Sequence, residues 1–168
     1  MTYDPTRHHR RSIRLPAYDY TQAGAYFVTL VCKEGALLLE DLLYKEIVGK
    51  AWLWLEAQYA YVVLDQYVIM PNHLHGIIFI RDSGRGGSRT APTDGTKRKP
   101  LGRLIGAFKT VSTKRINEMR GTPGLPVWQR NYYEHVIRNE GELNRVRQYI
   151  VDNPARWEQD PENPRQRQ

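Results

Sequence analysis

The sequence predicts an α+β fold in which the elements follow the order β-α-β-β-α-β, with one additional helix near the C-terminal end. Segments dense in aromatic and β-branched residues alternate with segments whose apolar residues recur at helical spacing. That order is typical of the ferredoxin-like arrangement, an antiparallel sheet with helices packed on one face. A length of 168 residues favours a single domain around one core.

The first half of the chain supplies three strands and one helix. The first strand is predicted at Ala25–Cys32, where aromatic and β-branched residues dominate. A helix over Leu42–Tyr59 follows from apolar residues near helical spacing. Strands at Tyr61–Met70 and His73–Ile80 are separated by a Pro-Asn turn and therefore form a hairpin.

The second half begins with a segment that has no apolar periodicity. Residues 81–100 are rich in Gly, Ser, Pro and charge, which predicts a long mobile loop. A helix is predicted over Leu101–Met119, and a fourth strand over Val127–Arg138. The last helix begins after Asn139, which is expected to form a capping box with Glu142, and the next proline ends it.

These patterns divide the chain into three parts. Residues 1–23 are a basic N-terminal arm, and residues 24–157 are the folded domain with its basic loop. Residues 158–168 are polar and rich in Pro, Gln and charge, so a disordered tail is expected.

The charge distribution favours a polyanionic partner. The net charge is +7, and residues 1–14, with four Arg and one Asp, contribute +3. Residues 81–100, with six basic and two acidic side chains, contribute the other +4. Clustered Lys and Arg release condensed counterions from nucleic-acid phosphates. A solubilising arm and loop is the alternative interpretation.

Several classes of protein are excluded by composition. No apolar run is long enough for a membrane-spanning helix, and a secretory signal is not expected. The single cysteine, Cys32, excludes an intrachain disulfide framework and a multi-cysteine zinc site. A reducing, cytoplasmic location is therefore expected.

Two histidines at the start of the third predicted strand are candidate metal ligands. His73 and His75 flank Leu74, and because side chains alternate along a strand, both imidazoles point to the same face. At a spacing of about 6–7 Å along a strand, they can share one divalent ion. A His-x-His pair can also be structural, and a metal site needs a third ligand.

A tyrosine and an asparagine on the last helix could complete the site. Tyr149 and Asn153 are four residues apart and therefore lie on one helix face. An amide oxygen is a hard ligand for Mg²⁺ or Mn²⁺, and a phenolate beside such an ion could attack phosphorus. The alternative is a structural role for both residues, with Tyr149 at the edge of the core and Asn153 at the C-terminal end of the helix. Asp65 on the neighbouring strand could orient the site, or could be a surface residue.

Taken together, these motifs resemble the His-hydrophobe-His (HUH) single-tyrosine transposases of insertion sequences, and in particular the REP-associated tyrosine transposases. The likeness runs from about Arg10 to Trp157. It is carried by these segments: Gly24–Thr29, Met70–His75, Gly106–Lys109, Val127–His135 and Tyr149–Pro154.

The resemblance implies both an activity and a set of roles. Members of this family have a ferredoxin-like core and cleave single-stranded DNA near hairpins with Mg²⁺ or Mn²⁺. The tyrosine becomes linked to the 5′ phosphate, and a 3′ hydroxyl later reverses the step without ATP. By resemblance, His73 and His75 match the metal-binding pair and Tyr149 the nucleophile. Asn153 stands where insertion-sequence relatives carry a longer Gln that completes the metal site.

The expected partner is single-stranded DNA with hairpin repeats, in the bacterial cytoplasm at the nucleoid. In relatives the N-terminal region helps to recognise bases beside the hairpin, so the arm residues Arg10, Arg11 and Arg14 are assigned to DNA. Further contacts to the hairpin backbone are expected from Arg103, Lys109, Lys114 and Arg115. Relatives act as monomers or as dimers, and both states stay open.

Other side chains and other functions compete with this interpretation. Tyr132 and Tyr133 lie on opposite faces of the predicted fourth strand, and His135 is interpreted as structural. A non-catalytic nucleic-acid-binding module is possible, since RNA-recognition domains share the element order, although their aromatic strand signature is missing. A degenerate transposase that only binds DNA is a third hypothesis, and the histidine pair together with Tyr149 argues against it.

Overall fold

The computed structural model describes residues 17–82 and 98–167. Its helices and strands are β1 (Gly24–Val31), α1 (Leu42–Gln58), β2 (Val62–Ile69), β3 (His73–Ile80), α2 (Leu101–Arg120), β4 (Tyr133–Ile137) and α3 (Glu140–Asp152). Short 3-10 helices precede α1 and follow α3. The predicted order of elements is confirmed, and most boundaries agree with the prediction to within one residue.

The four strands form one antiparallel sheet in the order β2-β3-β1-β4. β1 and β3 are the central strands, and Thr29 of β1 lies opposite His75 of β3. This is the split arrangement expected of a ferredoxin-like domain, and the predicted fold class is confirmed.

Helices cover both faces of the sheet. Alternate residues of β1 and β3, among them Val28 and Leu74, pack against α1 and α2 in the larger part of the core. The intervening residues, among them Phe27 and Ile77, pack against Ile150 of α3 in a second cluster. The additional helix α3 therefore lies on the face opposite α1 and α2, which is also the face of the two strand histidines.

A glycine allows the larger core to pack tightly behind the histidine pair. Gly76 follows His75 on β3, and a Cβ atom there would collide with the indole ring of Trp52 on α1. Trp52 is fully buried, and its ring makes an edge contact with Phe108 of α2. Close packing of this kind fixes β3 firmly and so gives the histidines a rigid base.

The fourth strand is shorter than predicted. The prediction started it at Val127, whereas β4 begins at Tyr133. The Lys109 ammonium on α2 donates hydrogen bonds to the carbonyl oxygens of residues 129–131, at 2.8, 3.2 and 3.3 Å. Those carbonyls face a helix rather than a neighbouring strand, so the ladder cannot extend through them.

The prediction of a disordered tail after Trp157 is wrong. The chain forms 3-10 helices at Pro154–Gln159 and Pro164–Arg167, and Asp160 and Asn163 between them are buried. The amide nitrogen of Asn163 donates to the carbonyl of Trp157 at 3.0 Å. Polar side chains with buried partners hold this segment, although its composition resembles that of a disordered one.

The predicted capping box forms only in part. The Asn139 side chain accepts a hydrogen bond from the Glu142 amide at 2.8 Å, as expected of an N-cap. The Glu142 carboxylate does not return to the Asn139 amide. Instead it accepts from the Arg138 amide at 2.8 Å and pairs with His135 at 2.6 Å. This cap links β4 to the first turn of α3.

Parts of the predicted arm and loop lie outside the described residues. Of the predicted loop, residues 81–82 and 98–100 are described, and Arg98 forms an ion pair with Asp82 at 2.8 Å. Within 17–82 and 98–167, no helix is both long and apolar enough to span a bilayer.

Candidate metal centre and tyrosine

The histidine pair is buried at the start of β3, on the α3 side of the sheet. His73 is fully buried and His75 is 4% exposed. Their Nε2 atoms face each other at 3.1 Å. The sequence prediction that both imidazoles share a face is therefore confirmed, and the two nitrogens are closer than the strand spacing alone requires.

Neighbouring side chains orient each ring. Asn72 donates its amide hydrogens to the carbonyls of Gly35 and Glu162, at 3.2 and 2.6 Å. Its oxygen therefore faces His73 Nδ1 at 2.8 Å and accepts the Nδ1–H hydrogen bond, which leaves the Nε2 lone pair of His73 directed inward. Nδ1 of His75 is held by the Thr29 hydroxyl at 2.8 Å.

Burial keeps both histidines neutral. Removal from water lowers the pKa of His73 to about 4. Burial, with a smaller contribution from the neighbouring His73, lowers the pKa of His75 well below its usual value. Neutral imidazoles whose other nitrogen is fixed by a hydrogen bond are the form that binds metal ions.

A carboxylate from the C-terminal segment joins the pair. Asp160 Oδ2 lies 3.7 Å from His73 Nε2, and one ligand atom each from His73, His75 and Asp160 lie within 4.8 Å of one another. Two nitrogens bound to one ion at about 2.1 Å are about 3.0–3.4 Å apart, which fits the observed separation of the Nε2 atoms. This group could hold a metal ion.

The sequence analysis did not find Asp160. Burial raises the pKa of its carboxyl above the usual value. No spacing relates it to the histidines, because it reaches them only after the chain returns from the end of α3. Asp160 could be identified only from the folded structure of the segment that follows α3.

Tyr149 on α3 is brought to the histidines. Its hydroxyl lies 3.4 Å from His75 Nε2, and the two ring centroids are 5.3 Å apart. The Phe27 ring stacks on His75 at 5.5 Å and meets Tyr149 edge-on at 6.0 Å. Tyr149 is 43% exposed, so its side chain is accessible from solvent.

Asn153 is buried at the end of α3, one turn beyond Tyr149. It is 3% exposed, and its side-chain oxygen has no hydrogen-bond partner within the described parts of the chain. An orphaned buried acceptor is what a ligand position without its ion presents. In the described structure no hydrogen bond joins it to either histidine, so its role as a ligand stays a prediction.

The competing side chains have other neighbours. Tyr132 packs against the larger core, with the Lys109 ammonium 5.5 Å from its ring centroid. Tyr133 packs into the second cluster on the histidine side, at 6.1 Å from Phe27. His135 forms its 2.6 Å contact with Glu142. The predicted opposite orientation of the two tyrosines is confirmed.

The basic residues of α2 lie on the other side of the sheet from the histidines. Arg103, Lys114 and Arg115 are exposed there. Lys109 is different, because burial lowers its pKa to about 8 and its ammonium is occupied by three backbone carbonyls. Lys109 therefore has a structural role here. The arm residues Arg10, Arg11 and Arg14 lie outside the described residues.

No protein-family model matches this chain. The chain is 36% identical over 174 residues to an uncharacterized protein of Haemophilus influenzae, covering 94% of this chain and 95% of the relative. The chain belongs to the same family as that protein. Its fold is similar to that of a REP-associated tyrosine transposase bound to a REP hairpin, with a TM-score of 0.61 at 18% identity over 85% of this chain and 73% of the other.

Proposed function

We propose that this chain, a member of the family of the Haemophilus influenzae protein with the fold of a REP-associated tyrosine transposase, cleaves and rejoins single-stranded DNA near hairpin repeats. The observation that carries the proposal is the 3.4 Å distance between the Tyr149 hydroxyl and His75 Nε2. It puts a nucleophile beside two neutral imidazoles that could hold a divalent ion. A nucleophile beside a bound divalent ion can carry out covalent phosphodiester chemistry.

The metal-binding residues in this proposal are His73, His75 and Asp160, with Mg²⁺ or Mn²⁺ as the ion. Asn153 is a candidate further ligand because its buried oxygen has no other partner in the described structure. The ion would polarise a phosphate oxygen and neutralise part of its charge. Asn72 and Thr29 keep the imidazoles aimed at it.

Tyr149 would carry the covalent step. Its phenolic oxygen forms a bond to phosphorus while the bond between phosphorus and the 3′ oxygen breaks. The phenol proton leaves to water, which reaches this partly exposed side chain, and the departing 3′ oxygen takes up a proton from water. The product is a 5′-phosphotyrosine, and attack by a 3′ hydroxyl on that bond rejoins the DNA without ATP.

A site assembled within one chain is supported by the 3.4 Å distance between the Tyr149 hydroxyl and His75 Nε2 of the same molecule. We therefore infer that a monomer suffices for cleavage. The choice of DNA as substrate is supported by the net charge of +7 and by the exposed cations of α2. The structural neighbour is itself bound to a REP hairpin, which also supports DNA as the substrate.

A covalent-adduct assay tests the proposal. The protein is mixed with single-stranded DNA that carries a REP-like hairpin, with Mn²⁺ or with EDTA, and separated on a denaturing gel. We expect a shifted protein band that requires metal and is lost in Tyr149→Phe but kept in the matched variant Tyr133→Phe. An adduct that survives in Tyr149→Phe would refute the assigned nucleophile. Tight binding without any adduct would favour a non-catalytic DNA-binding protein.

A further inference from the structure

A cavity of about 330 Å³ opens beside Tyr149, between β4 and α3. Its walls, apart from Tyr149 itself, are formed by Phe27, Tyr133, His135, Glu142, Arg145 and Val146. One wall is therefore aromatic and apolar, and the other carries polar and charged groups. Among small-molecule sites of about 300–1,000 Å³, this volume suits one small ligand.

The cavity adjoins the candidate metal centre through two side chains, Tyr149 and Phe27. The Tyr149 ring lines the cavity, whereas its hydroxyl lies at His75 Nε2. The Phe27 ring is shared in the same way, since it stacks on His75 and also lines the cavity. A group bound in the cavity therefore lies next to the group that reacts at the Tyr149 oxygen.

The aromatic wall has the properties of a surface on which a base can stack. Phe27 and Tyr133 meet with centroids 6.1 Å apart and planes at 68°. Burial raises the pKa of Tyr133, so its phenol stays neutral and does not repel a nucleic acid. Base stacking on aromatic side chains is tolerant of sequence and is a common way to hold single strands.

The polar wall contains a cation one helical turn from the nucleophile. Arg145 and Tyr149 are four residues apart on α3 and so share a helix face. Arg145 is exposed, and among the described residues its guanidinium has no hydrogen-bond or ion-pair partner. Glu142 is already engaged, by the Arg138 amide and by His135. A guanidinium in this position is suited to bind phosphate oxygens.

We propose that this cavity binds the nucleotide adjoining the phosphate that Tyr149 attacks. The base lies against Phe27 and Tyr133, and a phosphate oxygen accepts hydrogen bonds from Arg145. The chemical class of the ligand is thus a single deoxynucleoside monophosphate unit of an unpaired strand. The choice of DNA rests on the proposed function, but binding in the cavity does not require cleavage.

Titration of the isotope-labelled full chain with the four deoxynucleoside monophosphates, in EDTA and followed by NMR, tests the proposal without any catalytic step. We expect the ring resonances of His135 and Tyr133 to shift with a saturable dependence on nucleotide. Arg145→Ala, at an exposed position, should weaken this binding by about tenfold, and a thermal melt checks that the variant is folded. Tyr133→Ala should weaken it by a similar factor through loss of stacking.

Matched variants on the opposite face provide the controls. Lys50→Ala, at an exposed position of α1, and Tyr132→Ala should leave the titration within about twofold of the parent protein. Equal binding of inorganic phosphate would overturn the base-binding part of the proposal. Nucleotides that shift no cavity resonance, or that bind Arg145→Ala as well as the parent, would overturn it altogether. These outcomes are independent of the adduct assay, so a failed adduct does not decide them.

Discussion

Arg147 on α3 and Asp65 on β2 form a two-point ion pair that ties the tyrosine helix to the sheet. The Arg147 Nε donates to Asp65 Oδ2 at 3.0 Å, and its Nη2 donates to the same carboxylate. Asp65 lies in the irregular stretch between Leu64 and Tyr67, where the β2–β3 register shifts. A bulge turns a strand side chain away from its normal alternation, and here it presents Asp65 to the helix.

Loss of this ion pair should loosen α3. In Arg147→Ala, the Asp65 carboxylate, 16% exposed, loses its partner, and we expect the free energy of unfolding to fall by about 1 kcal/mol. Urea unfolding measures this change, and the rate of adduct formation should fall with it because Tyr149 lies two residues further along α3. Arg156→Ala, which removes a more exposed and longer contact to Asp152, is the matched control and should change little. Equal effects in the two variants would contradict a special role for the Arg147 pair.

Metal affinity should depend on Asp160 as well as on the histidines. We expect calorimetric titration with Mn²⁺ to show no specific binding in His73→Ala or His75→Ala. Asp160→Asn should weaken binding by about tenfold or more, because an uncharged oxygen replaces a carboxylate ligand. Asp152→Asn, on α3 outside the group, serves as the control. Unchanged affinity in Asp160→Asn, with a loss in Asn153→Ala, would transfer the third ligand to the asparagine.

The buried His73 should make stability dependent on pH in acid. Its pKa in the folded chain is about 4, below the usual 6.5, so between these values the unfolded chain binds the extra proton. The free energy of unfolding should therefore fall as the pH decreases from about 6.5 towards 4, with about 3 kcal/mol from this group. Denaturant unfolding in EDTA across this range measures it, with His73→Asn for comparison. The same slope in both proteins would show that His73 does not titrate in this way.

The C-terminal segment should contribute to stability, which the disordered tail predicted from the sequence would not. Asn163 is fully buried, donates to the Trp157 carbonyl and accepts from the Arg165 amide at 3.0 Å. We expect Asn163→Ala to lower the free energy of unfolding by about 1–3 kcal/mol, since these backbone groups lose a buried partner. Thermal unfolding measures this change. The control variant Gln159→Ala, at an exposed position, should leave the free energy of unfolding unchanged. An unchanged free energy of unfolding in Asn163→Ala would contradict a stabilising role of this segment.

Local sequence patterns predicted most of the fold because they report directly on which faces of an element are apolar. The strand at His73–Ile80 has the boundaries that its residues predicted, and α1 and α2 differ from prediction by a single residue. The fourth strand was overextended, because residues 127–132 have the composition of a strand while Lys109 takes the carbonyls that a ladder would need. The composition of a segment does not show that its carbonyls accept hydrogen bonds from a helix distant in the sequence.

The sequence by itself determined the element order, the common face of His73 and His75, and the position of Tyr149 on the last helix. Each follows from a repeat of two or about 3.6 residues, which is a property of the local backbone. Only the tertiary structure decided that α3 covers the histidine face, that Tyr149 comes within 3.4 Å of His75, and that Asp160 joins the metal-binding group. Those contacts depend on how the chain returns to the sheet, through buried packing and the pairing of Asp65 with Arg147, and no spacing in the sequence encodes them.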